Sequence, residues 1–129
     1  MKKSGILNSA LSGALAELGH THRVVVADCG MPRPRGVPVI DLALTFGIPT
    51  FEHVIAALAP ELVVEHVTAA REATTTNPAA LALLTDHVGV PQLVSHEELK
   101  AESAMAQLFV RTGEATAHAN AILHCGVPF

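Results

Sequence analysis

Residues 19–30, GHTHRVVVADCG, decide how the chain is read. Val24-Val25-Val26-Ala27 is too apolar for anything but the interior, so it reads as a buried strand. A histidine, His20, stands ahead of this strand and a carboxylate, Asp28, directly after it. A carboxylate at the exit of an apolar strand is where open α/β sheets place ligand-binding groups. It also has a local reading, because in Asp28-Cys29-Gly30 the carboxylate oxygen can cap the backbone of the following turn. His20, next to Gly19, is open in the same way: an acid/base group, or a helix C-terminal histidine stabilised by the dipole.

Upstream of the strand, Leu7, Leu11, Leu15 and Leu18 repeat at helical spacing, with Asn8 or Ser9 as the cap and Gly19 as the end. Lys2-Lys3 ahead of this stretch gives it the outline of a signal peptide, but Asn8, Ser9, Ser12 and Gly13 interrupt the apolar run. Downstream, residues 28–38 hold three prolines and two glycines and read as a stiff loop. VIDLAL (39–44) is a second strand, Thr50 caps a helix through Leu58, and ELVVEHV (61–67) is a third strand with a ragged Thr/Ala continuation over 68–76. Asn77-Pro78 opens a helix whose buried stripe is Leu81, Leu84 and Val88. After a short strand at 91–94, Ser95 and Glu98 form a capping box for a helix to about residue 106, with His96 in its first turn. LFVRTGE and NAILHCGV supply two more strands, separated by a polar connection that contains His118 and Asn120. Alternating helices and strands predict an α/β three-layer sandwich, a mixed or mostly parallel sheet with helices on both faces. One domain over residues 1–129 is expected from the length.

Composition narrows the function classes. Half of the residues are hydrophobic and 16% charged, so the chain has more apolar residues than a lone small domain needs, and an oligomer is expected. A net charge of -4 without a Lys/Arg cluster, and an aromatic content of four Phe with no Trp or Tyr, argue against nucleic acid. No segment has the uncharged run of about 18 residues that a membrane span needs. Cys29 and Cys125 are too few for a disulfide framework and are expected to be reduced thiols in a cytoplasm.

Eight histidines raise the question of metal, but there is no HExxH and no CxxC, and the one close pair is His20 with His22. His53, His66 and His87 lie among polar neighbours and read as surface positions. His96, at a helix start, either hydrogen-bonds a ligand or faces water. Phosphate-binding glycine loops and the GxSxG elbow are absent, so no cofactor and no activated nucleophile are expected. What is left is imidazoles and hydroxyl-binding groups, an inventory suited to proton transfer on a small polar molecule.

LGHTHRVVVADCGMPRP, IDLALTFGIPTF, SHEELK and RTGEATAHANAILHCGVPF, taken together and in this order, resemble the bacterial D-ribose pyranase family, whose relatives include L-fucose mutarotases. The resemblance spans Lys2 to Phe129. It implies cofactor-free interconversion of the pyranose and furanose forms of D-ribose in a ring-like homodecamer, with L-fucose mutarotation or sugar sensing as the alternatives. His20 matches the family's catalytic acid/base, Asp28 and His96 match sugar-binding groups, and His118-Ala119-Asn120 stands where the family has Tyr-Ala-Asn. Lys100, one helical turn after His96, is a weaker candidate. His118 in place of Tyr offers a smaller face to a sugar. A strand over residues 22–28, at about 3.3 Å per residue, separates His20 from Asp28 by about 20 Å. One sugar cannot bridge that, so His20 of one subunit is expected to face Asp28 of a neighbour.

Overall fold

The computed structural model describes residues 1–129. Its elements run α1 (Ser9–Ala16), β1 (Arg23–Ala27), β2 (Val39–Asp41), α2 (Phe51–Leu58), β3 (Val64–Ala70), α3 (Ala73–Thr76), α4 (Pro78–His87), β4 (Gln92–Val94), α5 (His96–Ser103), β5 (Leu108–Arg111) and β6 (Ala121–Cys125). The six strands form one sheet in the order β2-β5-β1-β6-β3-β4. β1, β5 and β2 are mutually parallel, as are β3 and β4. β6 runs antiparallel to both β1 and β3 and joins the two parallel halves.

The all-apolar run of β1 is explained by its place near the centre of the sheet. Val24 and Val26 face a core built with Leu11 and Leu15 of α1, Val54, Ile55 and Leu58 of α2, and Leu84 of α4. Val25 and Ala27 face a smaller cluster that includes Phe109, Ile122 and Leu99 of α5. A strand covered on both sides has no reason to alternate. Helices therefore lie on both faces, as the sequence predicts, with α1, α2 and α4 packed on one and α5 on the other.

Several boundaries differ from the sequence reading, each for a tertiary reason. α1 is capped by Asn8, whose side chain accepts from Leu11 N, but it ends at Ala16 rather than Gly19. The left-handed residue of the following turn is Thr21, at φ 69°, held by Thr21 N donating to Cys125 O of β6. Leu7 is exposed and Ile6 takes its expected place in the core. β2 stops at Asp41, because residues 42–48 fold back through a Thr45–Ile48 bridge. β3 begins at Val64 rather than residue 61 and continues to Ala70; α5 stops at Ser103, three residues early. The locally encoded helix starts are as read: Thr50 caps α2, Asn77 caps α4 with Pro78 in its first turn, and Ser95 and Glu98 form a reciprocal capping box on α5. Cys29 and Cys125 are both free thiols.

Candidate functional site

Asp28 caps the turn that follows it, the local one of its two sequence readings, and is held from behind by Asn120. Oδ1 accepts from Gly30 N at 3.0 Å and caps the turn, while Oδ2 accepts from Asn120 Nδ2 at 2.8 Å. Asn120 Oδ1 in turn accepts from Asp28 N at 2.8 Å. Because β1 and β6 are antiparallel neighbours, with Val26 opposite Ala121, the exit of one and the entry of the other coincide. That adjacency lets a buried Asn120 hold Asp28 through two hydrogen bonds.

His96 reaches the same place from α5. Its backbone N–H donates to both oxygens of Glu72, at 2.9 and 3.1 Å, and its Nδ1 is buried without a hydrogen-bond partner. An orphaned buried ring nitrogen is costly unless something later pairs with it. His118, in the left-handed region at φ 60°, has its Nδ1 2.7 Å from Thr76 Oγ1 and its ring edge-on to that of His96, with centroids 4.9 Å apart. Asp28, His96 and His118 line one cleft of about 360 Å³, together with Cys29, Phe46 and Glu114.

Two carboxylates, Glu114 in the wall of this cleft and Glu72 on the backbone of His96, are not evident from the sequence. Glu114 is partly buried, which opposes its ionisation, but bonds from the Thr116 hydroxyl and from the N–H groups of Phe51, Thr116 and Ala115 outweigh this and hold its pKa below the ordinary range. It thereby fixes the wall of residues 114–118 against α2. Glu72 is held low by its own backbone N–H and that of His96, with a smaller contribution from the nearby His118 and His96 rings. Each also holds one backbone N–H that only the fold brings close, that of Phe51 for Glu114 and that of His96 for Glu72.

Three residues singled out in the sequence lie elsewhere. Lys100 pairs with Glu97 on α5 and does not line the cleft. Ala119 is buried in the larger core, so what it offers the cleft side is backbone. His20 sits beyond the opposite end of β1, half exposed, with Nε2 2.9 Å from Glu65 Oε1. His22 is engaged separately, accepting from Gly19 N through Nδ1. His53, His66 and His87 are exposed, as expected.

The result is an α/β protein in which a carboxylate, backed by a buried amide, and two imidazoles meet at one small cleft beside the exit of a central strand. The chain belongs to the RbsD / FucU transport protein family, whose model matches residues 1–128. It is 57% identical over 129 residues to the D-ribose pyranase of Streptomyces avermitilis and 50% identical over 131 residues to that of Bacillus licheniformis, with all of each chain covered. The structure of Bacillus subtilis RbsD complexed with D-ribose superposes with a TM-score of 0.93 at 46% identity, covering 100% of both chains. A fucose mutarotase from Streptococcus pneumoniae, solved with L-fucose, shares the fold at a TM-score of 0.79 and 17% identity over 95% of each chain.

Proposed function

We propose that this chain is an isomerase that interconverts the pyranose and furanose forms of D-ribose by opening and reclosing the sugar ring, in a cytoplasmic homo-oligomer such as a ring-like decamer. The observation that carries the reading is Asp28, backed by Asn120, facing His96 and His118 around one cleft. Those groups accept and donate hydrogen bonds to sugar hydroxyls, and the unpartnered Nδ1 of His96 gains a partner when a hydroxyl arrives.

Ring opening removes a proton from the anomeric hydroxyl, turns that C–O bond into a carbonyl, breaks the bond from C1 to the ring oxygen, and returns a proton to that oxygen. Reclosure through a different hydroxyl changes the ring size. His20 is the acid/base: an imidazole can both take and give a proton, and such help is worth about 10²–10⁴ in rate. It does not line the cleft that holds Asp28, which supports its delivery by a neighbouring subunit.

Magnetisation transfer between the pyranose and furanose signals of D-ribose tests this directly. Wild type accelerates exchange; His20→Ala binds ribose without accelerating it; Asp28→Asn weakens binding by roughly tenfold or more, the worth of a hydrogen bond to a charged group. Acceleration confined to L-fucose anomers identifies a mutarotase instead, and ribose binding with no exchange identifies a sensor.

A further inference from the structure

Two departures from regular backbone and one close side-chain approach meet at His20 and Glu65. The first is in β3, where Val64 pairs with Cys125 and His66 with His124, so that Glu65 is an extra residue with no counterpart on β6. This bulge explains why Val64 and Val67, three apart, both pack on the larger core, and it turns Glu65 outward. Bulges commonly re-aim a side chain in this way. The second is Gly126, where an added Cβ would stand 2.5 Å from Glu65 Cγ and 3.1 Å from its Oε1: the stem of the glutamate lies across the glycine. The third is Thr21, a β-branched residue at φ 69°, a conformation such residues rarely adopt. It is tied to β6 through Cys125 O, and it places His20 Nε2 2.9 Å from Glu65 Oε1.

An exposed histidine–glutamate contact alone signifies little. Strained or irregular backbone that over-determines one side-chain geometry is a different matter and points to function. We propose that Glu65 is a positioning residue for His20, an inference that rests on His20 being the acid/base. Glu65 accepts the Nε2–H of His20, which fixes the ring orientation and leaves the lone pair on Nδ1. Nδ1 takes the proton of the anomeric hydroxyl as that oxygen becomes the carbonyl and the bond from C1 to the ring oxygen breaks, and hands the proton to the ring oxygen. In between, the carboxylate stabilises the positive ring. Glu65 itself touches no sugar.

The test is a kinetic cycle of wild type, Glu65→Ala, His20→Ala and the double variant, with Glu65→Gln and Gly126→Ala alongside. Glu65→Ala is expected to lower kcat roughly tenfold to a hundredfold, a part of what acid/base help supplies, with KM unchanged. Glu65→Gln, which keeps an acceptor, recovers part of that loss, and Gly126→Ala, which displaces the glutamate stem, reproduces it. If Glu65 acts through His20, the double variant is no slower than His20→Ala. The His20 Nε2–H, held by the carboxylate, gives a downfield proton resonance in wild type that disappears in Glu65→Ala. Wild-type kcat in Glu65→Ala, or losses that multiply in the double variant, overturns the role of Glu65 while leaving the acid/base reading intact. Wild-type exchange in His20→Ala overturns that reading, and the pair with it.

Discussion

His124, on the sheet face beneath α5, is a buried histidine that the cleft does not use. Its Nε2 lies 3.0 Å from Thr68 Oγ1 and 3.4 Å from Glu102 Oε1, and its ring stacks on His66 with centroids 3.7 Å apart. Burial first, then the charges of His66 and Arg23, push its pKa down to about 4, so proximity to Glu102 does not make it an ion pair at neutral pH. An unfolded histidine takes up its proton at about pH 6.5. Between that value and 4 the unfolded chain holds the extra proton, so stability rises with pH across this window. The contribution is complete above it and is lost as pH falls, by about 3 kcal/mol in all. The lowered carboxylates Glu72, Glu98 and Glu114 act in the same direction, but below their ordinary value of 4.5. Urea unfolding at pH 7 and pH 5 is expected to show a clear loss at the lower pH in wild type and a much smaller one in His124→Gln.

At the scale of the element, α5 connects the helix rules to the site. Its capping box satisfies the N–H of Glu98 with Ser95 Oγ and that of Ser95 with Glu98 Oε2, and it opens the helix at His96. Ser95→Ala is expected to cost about 1 kcal/mol of stability, the usual worth of a cap, read from the urea midpoint. Ribose affinity should weaken as well, because the cap sets where His96 stands; unchanged affinity would show that Glu72 holds His96 alone. This cap was legible in the sequence, as was Asn77-Pro78, because both signals lie within four residues. β3 was misplaced by three residues because the bulge at Glu65 breaks the alternation that marks a strand. The end of α1 was misread because Thr21 and His22 bond to Cys125, a partner about a hundred residues away. For the same reason Asp28 stood out, at the end of an apolar run, whereas Glu72, Glu114 and Glu65 did not: each has one partner, His96, Phe51 and His20 respectively, that only the fold brings near.

For the molecule as a whole, the two sheet faces are unequally covered, and Leu44, Phe46 and Ile48 are exposed together on the loop beside the cleft. On the proposed function, a second copy of the chain brings its His20 to the cleft, which lies at one end of β1 while the subunit's own His20 lies beyond the other. Mixing decides this. His20→Ala subunits, inactive alone, and Asp28→Asn subunits, impaired alone in binding, should regain about a quarter of wild-type exchange when co-assembled at random and assayed at ribose concentrations too low to fill Asp28→Asn sites, since one interface in four then has both native residues. No recovery in a verified mixed oligomer would place both residues in a single subunit's site.

The antiparallel β6 follows every other strand in chain order, yet it alone bridges the β2-β5-β1 half of the sheet and the β3-β4 half. During synthesis, therefore, the two halves emerge from the ribosome without a shared hydrogen-bonded strand. Only when residues 121–125 clear the exit tunnel does the sheet close, and Asn120, at the head of that strand, reaches Asp28 in the same act.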